Sequence, residues 1–357
     1  MKVVTVVGAR PQFIKAAAVS RKLRQENEEI LVHTGQHYDA NMSDVFFEEM
    51  HIPRPDYNLQ ISGGSHGEMT GRMLMELEKL LIKEAPDAAL LYGDTNSTLA
   101  GALAAVKLHV PIAHVEAGNR LGSLDNPEEV NRITADHMGR LLLCATDTAK
   151  ENLIKENLGE RAYVVGNIMY DSFLFFTEKM DSRPPVLTDY EGQKWSIPSE
   201  FYYMTCHREE NTFSDAPLKE ILSAMNELDA PTIYPVHPRN KERALRLVRE
   251  NGYSQVKLIP PVKYSQSVWL TNHAKKIVTD SGGLQCEAFF AGKQCVTVFH
   301  YKVWPETLVG NRNQLCEPRK EEILKKLSAE QVIDENYQPF GDGNTAERIV
   351  QLIKTKL

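Results

Sequence analysis

Between Gly93 and Arg132 the chain reads G-D-T-N-S-T-L-A-G, then H-V-E-A-G-N-R, then N-P-E-E-V-N-R. Asp94, Glu116 and Glu128 each follow an apolar run or open a turn. Acidic side chains in such places are costly without a partner or a task. Spaced carboxylates beside a loop of small residues suit proton transfer on a bound, polar substrate. Two of them also have a plainer reading. Asp94 can cap a helix beginning near Thr95, and Glu128 can sit in the first turn of a helix opened by Pro127. The strand-then-acid pattern occurs twice in quick succession, which favours a site at the carboxyl ends of parallel strands.

Four further strand ends carry groups that suit an anion. After Gly8, the segment Ala9-Arg10-Pro11-Gln12-Phe13-Ile14-Lys15 opens a helix at Pro11, and Arg10 and Lys15 flank its N-terminus. Backbone donors and two cations there suit a phosphate or diphosphate, although a surface turn with two solvated cations reads the same way. In Thr279-Asp280-Ser281-Gly282-Gly283-Leu284-Gln285-Cys286-Glu287, two glycines admit a ligand to the backbone before a helix, and Ser281 adds a hydroxyl. Glu287 then lies where a carboxylate can accept two ribose hydroxyls; the alternative is a tight turn with Asp280 as cap. His207 and Arg208 follow another strand as a candidate acid and an anion ligand, and His237 ends the next. Neither G-x-G-x-x-G nor a Walker loop occurs at the first turn. The eleven histidines include no H-E-x-x-H, and His33 and His37 straddle Gly35, so no metal is expected.

The elements that must position these residues follow from patterning. Short β-branched runs at 3–7, 30–33, 89–92, 112–114 and 141–145 alternate with helical stretches at 12–25, 67–83 and 98–109. Continuous apolar strands alternating with helices mean an α/β fold with parallel sheets. Met69, Met73, Leu77, Leu80 and Leu81 share one helical face and read as core. Residues 181–200, with Pro184, Pro185, Gly192 and Pro198, break the rhythm and read as a surface connection. The alternation restarts with strands at 201–205, 232–236, 256–259, 276–279 and 295–299 and helices at 217–228 and 241–250. The expected architecture is two doubly wound, Rossmann-like domains, 1–166 and 167–343, facing a cleft, with a helix at 344–357 closing the chain.

Composition bounds the partners. Over 357 residues the net charge is −7 with mixed signs and no basic block, which speaks against nucleic acid. No apolar stretch approaches the ~18 residues of a membrane span. Five cysteines without C-x-x-C fit a reducing cytoplasm rather than a disulfide framework, and the first seven residues read as a strand, not a signal peptide. A homodimer is the default expectation.

Taken together, G-A-R-P-Q-F-I-K, G-D-T-N-S-T, H-V-E-A-G, P-E-E-V-N-R, H-R-E-E-N and D-S-G-G-L-Q-C-E resemble, in order and across nearly the whole chain, the non-hydrolysing UDP-N-acetylglucosamine 2-epimerases. The resemblance implies a GT-B-like fold whose C-terminal helix crosses back to the first domain. It implies a UDP-sugar substrate, no cofactor, and interconversion of UDP-GlcNAc and UDP-ManNAc through elimination of UDP and its re-addition to a 2-acetamidoglucal, for bacterial surface polysaccharide precursors. Asp94, Glu116 and Glu128 match the catalytic carboxylates, and His207 the catalytic or phosphate-contacting histidine. Arg10 and Lys15 match the diphosphate end, and Ser281, Gly282 and Glu287 the phosphate and ribose contacts. The sequence departs from the pattern at Gly118-Asn119-Arg120, at 35–42 where an activating second UDP-sugar would bind, and at Val303-Trp304-Pro305-Glu306-Thr307. In several of these places the chain looks closer to the branch acting on UDP-2,3-diacetamido-2,3-dideoxy-glucuronate, whose carboxylate could meet Lys302 or Arg312. A GT-B glycosyltransferase, a hydrolysing epimerase and a UDP-sugar sensor are the rival readings.

Overall fold

The structure is a computed structural model that describes residues 1–36 and 44–357, apart from the side chains of 44–46. The chain divides into two compact units. One comprises Met1–Ser172 with Gln338–Leu357, and the other Phe173–Tyr337.

The first unit runs β1 (Lys2–Val7), α1 (Arg10–Leu23), β2 (Glu28–His33), α2 (Asp44–Met50), β3 (Tyr57–Asn58), α3 (His66–Glu84), β4 (Ala88–Tyr92), α4 (Asn96–Lys107), β5 (Ile112–Val115), α5 (Pro127–Met138), β6 (Leu141–Cys144), α6 (Asp147–Lys155) and β7 (Ala162–Val164). Its seven strands are all parallel, in the order β3-β2-β1-β4-β5-β6-β7. The central strands are apolar throughout because helices cover both faces; all five residues of β4 are buried. The α3 stripe behaves as read: Met73, Leu77, Leu80 and Leu81 are buried, and Met69 packs on the same cluster. Strand order reverses direction between β1 and β4. In doubly wound sheets ligands bind outside the carboxyl ends of strands at such a switch point.

Helix α7 (Ile168–Glu178) leads into the second unit. There follow β8 (Leu187–Thr188), β9 (Lys194–Trp195), β10 (Tyr202–Thr205), α8 (Glu209–Thr212), α9 (Asp215–Asn226), β11 (Thr232–Pro235), α10 (Lys241–Asn251), β12 (Val256–Ile259), α11 (Tyr264–His273), β13 (Ile277–Thr279), α12 (Gly282–Phe290), β14 (Cys295–Val298), β15 (Asn313–Cys316) and α13 (Lys320–Ser328). Six strands form a second parallel sheet, β12-β11-β10-β13-β14-β15, whose switch point lies between β10 and β13. Residues 181–200 are more than a surface connection. They hold an antiparallel β8–β9 pair, and Leu187 is buried against Phe201 and Trp269.

The last helix, α14 (Thr345–Lys356), belongs to the first unit. Asp171 accepts hydrogen bonds from Thr345 N (3.1 Å) and Ala346 N (2.7 Å), which satisfies the helix's first amides. Ion pairs Lys22–Glu347 and Lys354–Glu26 tie α14 to α1 and the turn after it. Among the described residues, no helix is long and apolar enough to cross a membrane.

Candidate functional site

At the β1/β4 switch point, the turns after the two strands are held together by Gln12. Its Oε1 accepts from Gly8 N (2.8 Å) and Ala9 N (3.1 Å), and its Nε2 donates to the Tyr92 carbonyl (2.7 Å). Gly8 has to be glycine, because a Cβ there would stand 1.9 Å from Ser97 Oγ. Beside these turns lies a cavity of ≈ 200 Å³ whose lining includes Lys15, Gln36, His66, Asp94, Asn96 and Glu128.

Asp94 is not the helix cap. Thr95 takes that place, accepting from Thr98 N at 3.3 Å. The Asp94 carboxylate instead pairs with Arg132, which also pairs with Glu129. Asn126 caps α5 through Glu128 N (2.9 Å) and Glu129 N (3.2 Å). The two neighbouring acids of α5 then divide the work. Glu129 is buried and accepts from Leu121 N (2.7 Å) and Gly122 N (3.0 Å), whereas Glu128 is exposed and lines the cavity.

Glu116 is the most constrained of the three expected acids. It is buried, its φ is +67°, and it pairs with Lys15 through Oε2. Its Oε1 is buried with no hydrogen-bond partner. A non-glycine residue in the left-handed region together with an unsatisfied buried carboxylate oxygen is a strained arrangement of the kind that gathers at functional sites. Lys15, read from sequence as a diphosphate ligand, is thus the counter-ion of Glu116. Arg10 opens α1 at the same turn.

Beneath these groups lies a sealed network. His114 is fully buried; Nδ1 stands 2.7 Å from Asp136 Oδ1 and Nε2 2.7 Å from the Gly93 carbonyl. Each ring nitrogen thus faces an oxygen. Asp136 Oδ2 accepts from Gly118 N (3.0 Å) and Arg120 Nη1 (2.8 Å). Burial by itself would raise the Asp136 pKa, but His114 and Arg120 outweigh it and hold the carboxyl below its ordinary value. The network fixes the turn before Asp94 and the loop after Glu116 with one carboxylate.

In the second unit, the β10/β13 switch point is organised by Asp280. It accepts from His207 N (3.0 and 2.9 Å), Arg208 N (2.8 Å) and Asn211 Nδ2 (3.2 Å), and His207 Nδ1 lies 3.0 Å away. Burial favours its neutral form, but His207 and the amides around it leave the carboxyl below its usual value. Asp280 therefore does not cap α12. Ser281 does, accepting from Leu284 N at 3.4 Å. Ser281, Gly282 and Gly283 form the partly exposed N-terminal end of a nine-residue helix, where backbone donors suit a phosphate. Glu287, one turn on, is buried, and desolvation pushes its carboxyl up to about 7 against the opposing Tyr264 hydroxyl.

The remaining expected residues fall into two groups. His237 is exposed, accepts from Arg239 N at 3.3 Å and stacks at 6.3 Å on His207. Arg208 donates Nε to the Asp280 carbonyl (2.6 Å), bonds Tyr301 through Nη1, and lies 5.0 Å from each of the Phe299 and Tyr301 rings. Arg312 is not placed to meet a substrate carboxylate. It is buried over the Phe289 ring at 3.5 Å and bonded to the Phe289 carbonyl. Residues 37–42 of the expected activating segment lie outside the described residues. Sequence reasoning missed Arg132, Glu129, His114 and Asp136. The first three lie in or beside the recognised motifs, whereas Asp136 gives no signal beyond being an acid in a helix. Among the described residues, no group of three or more His, Cys, Asp or Glu is placed to hold a metal.

Two Rossmann-like sheets, with carboxylates at one switch point and a phosphate-type helix end at the other, define a class of nucleotide-handling α/β enzymes. The sequence model of the family described as UDP-N-acetylglucosamine 2-epimerase matches residues 21–354, and the chain belongs to that family of isomerases. It is 45% identical over 363 residues, 99% of each chain, to the UDP-2,3-diacetamido-2,3-dideoxy-D-glucuronate 2-epimerase of Pseudomonas aeruginosa. The crystal structure of Methanocaldococcus jannaschii UDP-GlcNAc 2-epimerase in complex with UDP-GlcNAc and UDP is 35% identical, covers 99% of each chain and superposes with a TM-score of 0.84. A likeness of fold alone, 15% identical over 100% of each chain with a TM-score of 0.56, extends to the lipopolysaccharide outer core galactosyltransferase WaaB.

Proposed function

We propose that the chain is a non-hydrolysing 2-epimerase that interconverts UDP-GlcNAc and UDP-ManNAc. Cleavage of the C1–O bond releases UDP and gives C1 oxocarbenium character, which acidifies the C2 hydrogen. A carboxylate takes that proton to leave 2-acetamidoglucal. Proton return on the opposite face and re-addition of a UDP oxygen to C1 give the epimer. Asp94, Glu116 and Glu128 hold the acid and base roles, with Lys15 paired to Glu116 and Arg132 to Asp94. His207, Arg208, His237, Ser281, Gly282, Gly283, Glu287 and Arg10 bind the UDP part. The protein works as a cytoplasmic homodimer.

The observation that carries this reading is Glu116: strained, paired with Lys15, and with one carboxylate oxygen buried and unsatisfied. A glycosyltransferase of similar fold has no need of three acids at the first switch point. Proton NMR of UDP-GlcNAc with the protein in D2O tests it. Growth of UDP-ManNAc with deuterium at C2 is expected. Transfer or hydrolysis without C2 exchange would contradict it. The relative from Pseudomonas aeruginosa makes UDP-2,3-diacetamido-2,3-dideoxy-glucuronate the second substrate for the same assay.

A further inference from the structure

The pairing of β1 with β4 ends where Val6 stands beside Leu91. Lys15 and Asp94 lie beyond that end, on the helix after β1 and the turn after β4. Lys15 and Glu116 meet over the same turn: a Cβ added to Gly93 would lie 3.5 Å from Glu116 Oε2 and 3.9 Å from Lys15 Nζ. Asp94 is the next residue. The spacing between Asp94 and the Lys15–Glu116 pair therefore depends on what joins α1 to the turn after β4.

Gln12 joins them. Its side-chain amide is buried, and backbone groups with one role each fix its orientation. Oε1 faces Gly8 N and Ala9 N, which can only donate, and Nε2 faces the Tyr92 carbonyl, which can only accept. Nε2 also stands 3.1 Å from each of the Thr95 and Thr98 hydroxyls. Thr98 Oγ1 in turn donates to the Tyr92 carbonyl (2.7 Å) and accepts from Thr95 N (3.2 Å). Asp94 thus lies between two residues, Tyr92 and Thr95, that rest on one amide, and Lys15 follows that amide by one turn of α1. Gln12 lines the cavity, yet both ends of its amide are engaged within the protein, so it acts on the site through its neighbours. The Gly8 and Ala9 amides are likewise closed to a phosphate.

We propose that Gln12 is a positioning residue for the proton transfer, holding Asp94 in register with the Lys15–Glu116 pair. The inference rests on the epimerase reading and deepens it by naming the group that sets the spacing of its acids. Acid and base groups serve one sugar carbon only at fixed separations, and a misplacement of about 1 Å can cost on the order of 10²-fold in rate. The donor end of the amide is the critical one. Without it, the Tyr92 carbonyl before Asp94 loses its tie to the turn after β1.

The test follows deuterium entry at sugar C2, with UDP affinity by calorimetry, in the full-length protein and its Gln12→Glu and Gln12→Ala variants. The sugar is UDP-GlcNAc, or UDP-2,3-diacetamido-2,3-dideoxy-glucuronate where the wild type exchanges only that one. Gln12→Glu keeps the shape and the acceptor but sets an oxygen against the Tyr92 carbonyl. At about pH 8 it should lower kcat on the order of 10²-fold, with KM and UDP affinity little changed. Protonation gives the introduced carboxyl an O–H for that carbonyl, so the ratio of variant to wild-type kcat should rise as pH falls toward about 6. Gln12→Ala has no such group, and its ratio should stay low throughout. A flat ratio for Gln12→Glu, or near-normal kcat in either folded variant, would overturn the positioning role. So would a loss carried by KM or UDP affinity, or failure of both variants to fold, which would make Gln12 structural alone. A wild type that binds UDP but exchanges neither sugar would overturn the epimerase reading, and this inference with it.

Discussion

Two histidine–aspartate pairs serve the two units, and they are built differently. In the first unit His114 and Asp136 are both fully buried, and each hydrogen bond ends inside the protein. In the second unit Asp280 is buried, but the His207 side chain is 42% exposed. The sealed pair holds strand-end loops in register and has no face for a ligand. The open pair aims an imidazole outward from a fixed carboxylate, which is how a group that touches substrate is held. A histidine–aspartate pair read from sequence therefore says little until burial is known. The carboxylates follow the same rule. Glu129 is enclosed and structural, while its neighbour Glu128 faces the cavity.

The contrast can be broken at either end. The largest effect is expected at the three acids to which the proposed function gives the chemistry. Glu116→Gln, Asp94→Asn and Glu128→Gln should each lower kcat by roughly 10²- to 10⁴-fold in the C2 exchange assay, with UDP affinity by calorimetry nearly unchanged. Next comes the sealed pair. Asp136→Ala leaves the buried His114 without its carboxylate and takes from Arg120 one of its two carboxylate partners, Asp136 and Glu156; it should cost about 3–5 kcal/mol in denaturant unfolding.

Glu287 supplies a pH signature for the second unit. Its carboxyl titrates near 4.5 when exposed and at about 7 in the fold. Between those values the folded chain binds more protons than the unfolded chain. Stability should therefore fall as pH rises through that window and level off above it, by about 3 kcal/mol in all. Glu287→Gln should remove this slope, which thermal melts across the range would show. The smallest effect is at the α4 cap, where Thr95→Ala should cost about 1 kcal/mol.

The parallel strands at the centre of each sheet were legible because burial on both faces makes them continuous apolar runs, as in the buried Val3–Val7. Strand β3, with two residues, and β15, reading Asn-Gln-Leu-Cys, carry no such run and owe their form to pairing with β2 and β14. The hairpin of β8 and β9 was hidden by the prolines and glycine around it. At the site, residue types at strand ends marked Asp94, Glu116 and His207, since the sheet's geometry is written in local sequence. Their partners were not legible. Arg132 reaches Asp94 across 38 residues and Asp136 reaches His114 across 22, and single-sequence patterning holds nothing of such tertiary pairings. Sequence also made Lys15 a phosphate ligand and Arg312 a candidate carboxylate ligand. Only the fold shows the one paired with Glu116 and the other stacked on Phe289.

The central claim is that the acids of the first switch point perform the chemistry and the second unit holds the nucleotide. One protein tests it directly: Glu116→Gln, assayed in parallel for UDP binding by calorimetry and for deuterium entry at sugar C2 in D2O. The account predicts wild-type UDP affinity with exchange reduced at least ~10²-fold. Normal exchange, or loss of UDP binding together with exchange in a folded variant, would contradict it.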